Sequence, residues 1–220
     1  MNVGILFSGQ TRAEHAQLMR GIFGEGSVIV AGALDGLGDA ELRAFAPQAH
    51  EASIITELAD GGTVVVGERA LTARLQASAD ALAAEGASLL FLLSTAEYPG
   101  LAAAVPAILP SKILDGLVQA VLPPGGRLGV LVALEEQIPD MTRRWGASGY
   151  QVVCAVASPW EGVGAIDAAA RQLAAARPSL IVMDCFAYTR EHKDRLHAAV
   201  GSLVILPQEL LMALALQLLG

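Results

Sequence analysis

Cys185 closes the apolar run SLIVMD (179–184) and opens a short loop ahead of the helical stretch TREHKDRL. A thiol held at a strand end, before a helix whose first amides favour the thiolate, can take or deliver a proton. Asp184 opposes ionisation if its carboxylate turns toward the sulfur. The same residue can equally serve as core filling, because cysteine outside disulfides is among the most buried residue types. Ser94 closes a similar run, SLLFLL (88–93), and is followed by TAEYPG.

Other residues stand where strands give way to loops. Ser8, Gly9 and Gln10 end the first strand, and Arg12 follows as a carboxylate partner or a solvated first-turn residue. Glu136 and Gln137 follow the first strand of the second half as Gln10 follows that of the first. Ser158 ends the next strand, with Trp160 as a candidate pocket wall. Tyr188 and Thr189 can donate to an oxyanion or cap the next helix, and Thr189 is a good N-cap ahead of REHK. Asp35, in GALDGL, reads as a cleft rim or an ordinary Asp-Gly turn. Cys154 sits mid-strand in VVCAV and reads as core. His192 and His197 are five apart on one helix, where a zinc pair prefers four and a third ligand, so no metal site is expected.

The elements that position these residues alternate in type. Short β-branched runs at 2–7, 26–34, 88–93, 127–134, 150–158, 179–184 and 202–206 are separated by alanine-rich helical segments, the pattern of a parallel α/β sheet. ASIITEL and TVVVGE flank ADGG and read as a β-hairpin. RALTARLQASADALAAEG (69–86) is helical, with Gly86 as its stop. A repeat underlies the pattern. VGILFSGQ (from 3) returns as LGVLVALE (from 128), an offset of 125, and ASLLFLLSTAEYPG (from 87) returns as PSLIVMDCFAYTRE (from 178), an offset of 91. The missing 34 residues fall around the hairpin, in the first half. The expected fold is therefore two pseudosymmetric parallel-sheet α/β halves, 1–109 and 110–206, with a hairpin insertion in the first. The C-terminal helix 207–220 is expected to pack back on the first half. Ligands of such sheets bind beyond the carboxyl ends of the strands, and a cleft between two halves would set Ser94 opposite Cys185.

Composition narrows the function classes. The 220 residues are 54% hydrophobic and 16% charged, and carry a net charge of −8 with no basic run, which argues against nucleic acid. The greasiest stretch, SLVILPQELLMALALQLLG, is interrupted by Pro207, Gln208, Glu209 and Gln217, so no membrane span is expected. The N-terminus lacks the basic region and cleavage signature of a secretory leader. Two cysteines are too few for a disulfide framework, which makes the cytoplasm the expected compartment. Neither a P-loop nor a strand-following GxGxxG occurs, so no nucleotide cofactor is expected.

The chain resembles the AroM family, within the aspartate/glutamate/hydantoin racemase superfamily. The resemblance is carried by GQTR (9–12), GALDGL (32–37), DGGTVVVGERAL (60–71), LLSTAEYPG (92–100), LGVLVALEEQ (128–137), ASPWEG (157–162) and IVMDCFAYT (181–189). It implies a cofactor-independent enzyme in which two cysteines, one per half, flank the reacting carbon of a small acid. Cys185 matches the second-half cysteine, and Ser94 stands where the first-half cysteine would be. A serine hydroxyl cannot match a thiolate as a base without a partner. Similarity to arylmalonate decarboxylases, which use one thiol, gives Ser94 and Thr95 the role of holding carboxylate oxygens. Ser8, Gly9 and Gln10 lie where superfamily members contact substrate. The implied activity is that of a racemase, isomerase or decarboxylase acting on a small carboxylic acid in a homodimer. The competing reading is a non-catalytic or regulatory binder of small anions on the same fold.

Overall fold

The computed structural model describes residues 2–24 and 26–219, and the chain divides into two compact units, Met1–Pro110 and Ser111–Gly220. In the first, the elements run β1 (Asn2–Phe7), α1 (Ala13–Phe23), β2 (Val28–Gly32), α2 (Asp39–Ala44), β3 (Ser53–Glu57), β4 (Thr63–Gly67), α3 (Glu68–Ala84), β5 (Ala87–Leu93) and β6 (Ala107–Ile108). The second holds α4 (Pro110–Val121), β7 (Arg127–Val132), α5 (Ile138–Ala147), β8 (Gln151–Val156), α6 (Ile166–Ala176), β9 (Leu180–Met183), α7 (Arg190–Val200), β10 (Leu203–Ile205) and α8 (Pro207–Leu219).

Each unit is built on a four-stranded parallel sheet, ordered β2-β1-β5-β6 in the first and β10-β9-β7-β8 in the second. Read from the opposite edge, the second order is β8-β7-β9-β10, so the repeat in sequence is a repeat of topology. The offsets are met at the level of single pairs. Leu6 opposes Leu92 in the first sheet, and Leu131 opposes Met183 in the second, at offsets of 125 and 91. The hairpin β3–β4 is antiparallel and forms a sheet of its own within the first unit. It accounts for the length difference between the halves.

Strands β1, β7 and β9 are buried on both faces because helices cover both, which explains their continuous apolar runs. In the first unit, Leu71, Leu75, Ala79 and Leu82 recur along one stripe of α3 and join Leu6, Leu90 and Leu92 in one cluster. In the second, Leu128, Val130, Val132, Leu180 and Val182 belong to a cluster with Leu114, Val118 and Trp145. Leu131, Ile181 and Met183 belong to another with Ile166, Ala169, Leu173 and Leu196.

Several expectations are refined. Helix α3 ends at Ala84, and Gly86 makes the turn after it at φ +96°. The segment after β7 is not one helix. Gln137 folds its side-chain carbonyl back onto the N–H groups of Ala133 and Leu134, producing a 3-10 turn over Glu135–Gln137 before α5, which has Pro139 in its first turn. Two elements have no counterpart in the sequence reading: the six-residue α2, where Glu41 accepts the Gly38 N–H, and the two-residue β6 between Pro106 and Pro110. Helix α8 groups with the second unit instead of the first. It starts two residues after β10, Leu210 packs into the Trp145 cluster, and Glu209 pairs with Arg190 and, at 2.8 Å, with Lys193. A connection that short returns the helix onto its own sheet. No helix among the described residues is long and apolar enough to cross a membrane.

Candidate functional site

At the carboxyl edge of the first sheet, hydroxyls are gathered where a core residue would otherwise stand. Ser8 and Ser94 each lie one step beyond the opposed pair Phe7 and Leu93, so they extend neighbouring strands β1 and β5. Ser8 is buried and its Oγ lies 3.0 Å from Oγ1 of Thr56, which the hairpin strand β3 delivers. Ser94 is buried and its Oγ lies 2.8 Å from the hydroxyl of Tyr98. Thr95, also buried, makes no hydrogen bond through its hydroxyl to any described residue. Ser8, Thr56, Ser94 and Thr95 are all the buried polar residues described in this unit. Together with Tyr98 they bring five hydroxyl hydrogens and place two of them within the group. The remainder is a surplus of donors, whose natural complement is an acceptor-only group such as a carboxylate.

Burial pushes the Tyr98 phenol up, the Glu68 carboxylate pushes the same way, and the hydrogen bond with Ser94 opposes them. Tyr98 therefore stays protonated at working pH. Thr56 and Tyr98 were not among the residues singled out from sequence. Thr56 carried no local signal, since only the fold of the hairpin over β1 brings it to Ser8. Tyr98 did carry one, four residues after Ser94 in STAEYPG.

The remaining first-half candidates are engaged by protein. Gln10 donates through Nε2 to the carbonyls of Leu34 (3.2 Å) and Leu37 (3.0 Å), and its Oε1 accepts the Ala59 N–H at 2.9 Å. Its amide thus ties β1 to the loop after β2 and to the hairpin turn. Gly9 allows the hairpin to come close, since a Cβ there would stand 2.1 Å from the Glu57 carbonyl oxygen. Arg12 is paired with Glu14 and, at 3.4 Å, with Glu57. Asp35 accepts the Thr11 N–H, the Thr11 hydroxyl and the Gly32 N–H, each at 2.7 Å, which is the ordinary-turn outcome.

In the second unit Cys185 occupies the position equivalent to Ser94, two residues past β9. It is half-buried against the cluster that contains Leu131 and Met183. Tyr188 is fully buried and its hydroxyl donates to the Ala157 carbonyl at 2.6 Å, tying the Cys185 loop to the end of β8. Thr189 caps α7, and His192 Nδ1 returns to the Thr189 N–H at 3.1 Å. His192 is buried, which pushes its imidazole down from the ordinary value. Ser158 accepts the Trp160 N–H at 3.4 Å and caps a short 3-10 turn. Gln137 closes its turn as described above, and Glu136 is exposed beside it. Among the described residues there is no group of three or more His, Cys, Asp or Glu side chains placed to hold a metal.

Cys154 lies mid-strand in β8, with Sγ 3.8 Å from the Thr142 hydroxyl. Burial raises its thiol above the ordinary value, the Asp184 charge adds to that, and the Thr142 contact opposes it. Iodoacetamide near neutral pH is therefore expected to modify Cys185 before Cys154, read by peptide mass spectrometry over time. Equal, slow labelling of both would favour a purely structural Cys185.

The sequence profile of the AroM protein family matches residues 3–219. The chain belongs to the AroM family. No curated protein matches this AroM sequence. Among solved structures it is similar to glutamate racemase from Francisella tularensis subsp. tularensis SCHU S4 in complex with D-glutamate, at 11% identity and a TM-score of 0.62 over 99% of this chain and 80% of that one. It is similar to arylmalonate decarboxylase at 14% identity and a TM-score of 0.61, covering 100% of this chain and 93% of the other. Allantoin racemase from Pseudomonas fluorescens gives 13% identity and a TM-score of 0.54, with 99% and 92% covered. The AroM chain thus has the racemase-like fold expected of it, two parallel-sheet α/β halves with a hairpin in the first.

Proposed function

We propose that this AroM protein is a cofactor-independent enzyme of the racemase, isomerase or decarboxylase type, acting on a small carboxylic acid. The observation that carries the reading is the surplus of hydroxyl donors at the edge of the first sheet, matched by a thiol at the equivalent edge of the second. Ser94 and Thr95 hold a substrate carboxylate with neutral donors, which leaves Arg12 to its own acidic partners. Ser8 ends the neighbouring strand β1, with its hydroxyl bonded to Thr56. Cys185 takes a proton from, or delivers one to, the carbon next to that carboxylate, and the remainder of the site excludes water so that the transfer is efficient. The likeness to racemases and a decarboxylase supports this class of chemistry. A homodimer in the cytoplasm is part of the same reading.

The geometry required is specific. One small acid can span the two residues only if Ser94 and Cys185 share a cleft roughly 6–10 Å across, with the reacting carbon in near-attack range. Ser94→Cys provides the test, with a bifunctional alkylator long enough for that span, such as α,α′-dibromo-p-xylene, bridging positions 94 and 185. An intramolecular bridge between those two peptides, absent from the parent chain, is the expected result. Single-site adducts alone, with no bridge at any reagent concentration, would remove the shared site. A bridge without turnover of any acid would favour the small-anion binder.

A further inference from the structure

The pair Ser94–Tyr98 holds more hydrogens than it can place internally. Each residue carries one O–H, their oxygens lie 2.8 Å apart, and one hydrogen bridges them. Ser94 Oγ also faces the Ala96 N–H at 3.4 Å, which can only donate to it. In one arrangement Ser94 donates to Tyr98, and the phenolic hydrogen is left buried with no acceptor among the described residues. In the other Tyr98 donates to Ser94. Both lone pairs of Ser94 are then occupied, by Tyr98 and Ala96, and its own hydrogen is offered at the strand end, beside Thr95 and Ser8.

Three considerations select the second. A phenol is the more acidic hydroxyl and hence the better donor, while an aliphatic hydroxyl is the better acceptor. A chain running phenol to serine to an anionic oxygen is polarised in one direction and strengthens along its length. Tyr188, three residues after Cys185, likewise acts as a hydrogen-bond donor, to the Ala157 carbonyl.

We propose that Tyr98 is a positioning residue that donates to Ser94 Oγ and so commits Ser94 to hydrogen-bond donation in place of proton abstraction. This rests on reading Ser94 as a carboxylate contact. It adds that proton transfer to carbon is confined to the Cys185 side, so that the reaction delivers its proton to one face and its product in one hand. Burial keeps the phenol protonated, and therefore a donor, over the range in which a thiol titrates.

The direction of the bond can be read without a ligand. The tyrosine ring doublet in Raman spectra changes its intensity ratio according to whether the phenol donates or accepts. The chain has three tyrosines, so the difference between parent and Tyr98→Phe isolates Tyr98. A donor signature is expected, and an acceptor signature overturns the proposal. Ser94→Ala against the parent gives the same comparison if Tyr98→Phe does not fold, and an unchanged doublet there means that the pair is not formed. Calorimetric titration with malonate supplies the second arm. Tyr98→Phe is expected to weaken malonate by about 5–10-fold, as loss of one hydrogen bond would. Ser94→Ala should cost at least as much, and the double variant little more than Ser94→Ala, because the two residues act through one contact. Malonate binding equal in parent and Tyr98→Phe overturns the positioning role. Failure of the parent to bind malonate, with the donor signature present, counts against the carboxylate reading of the site and not against the pairing.

Discussion

If Cys185 transfers the proton as proposed, Cys185→Ser is expected to lower deuterium uptake from heavy water into a small α-substituted acid by about 10²–10⁴-fold, the usual share of a positioned acid or base. Ser94→Cys moves in the opposite direction. It exchanges oxygen for a larger sulfur at a buried strand end and brings a thiol, a group whose ordinary pKa of about 8.5 lies far closer to neutrality than that of a serine hydroxyl. With an acid or base on each side of the reacting carbon, exchange on both faces, and hence racemisation, should appear or rise. The measurement follows optical rotation and mass increase across a panel of small acids. Parental activity that survives Cys185→Ser would exclude the thiol from the chemistry. Ser94→Cys that loses optical activity no faster than the parent, while still binding the acid, would mean that position 94 does not face the reacting carbon.

The second large effect is structural and arises at the same sheet edge. At Gly9 an added Cβ would stand 2.1 Å from the Glu57 carbonyl oxygen and 2.7 Å from Thr56 Oγ1. Backbone on both sides of that contact must separate, because neither partner is the flexible end of a long side chain. Gly9→Ala is therefore expected to cost about 3 kcal/mol, the upper part of the range for overpacking, or roughly 6–12 °C in melting temperature for a chain of this size. The hairpin would move away from β1, taking with it the Gln10 N–H bond to Glu57 O at 3.0 Å and the Ser8–Thr56 bond. Gly116, in α4, is the control: nothing lies within 4 Å of a Cβ there, so Gly116→Ala should be neutral or stabilising by about 0.5–1 kcal/mol. Equal melting temperatures for the Gly9 and Gly116 variants would show that the hairpin yields without cost.

Much of the architecture was legible in sequence because strand burial and chain repetition are local or periodic signals. The runs VGILF, SLLFLL, RLGVLV and SLIVM identify strands buried on both faces, and the offsets of 125 and 91 meet in the observed pairs Leu6–Leu92 and Leu131–Met183. That arithmetic places Ser94 and Cys185 at equivalent strand ends without any coordinates. Short elements escaped, since the six residues of α2 and the two of β6 are too few to show a period. The last helix groups with the second unit through contacts that only the tertiary structure shows, Leu210 in the Trp145 cluster and Glu209 on Lys193.

What each polar group does was decided only by tertiary structure. Gln10 and Gln137 look alike as glutamines after a first strand. One staples a hairpin turn and the loop after β2, while the other closes its own 3-10 turn. Tyr98 and Tyr188 look alike as tyrosines after a strand-end residue, yet one reaches the serine hydroxyl and the other a backbone carbonyl. Residue types and spacing determined which side chains arrive at the two sheet edges. Which hydroxyls are consumed there and which are left to meet a ligand depends on hydrogen-bond partners far apart in the chain, such as Thr56 for Ser8, 48 residues away. Hydrogen bonds are directional and short, so a one-residue difference in spacing, as between Tyr98 and Tyr188, redirects a donor completely.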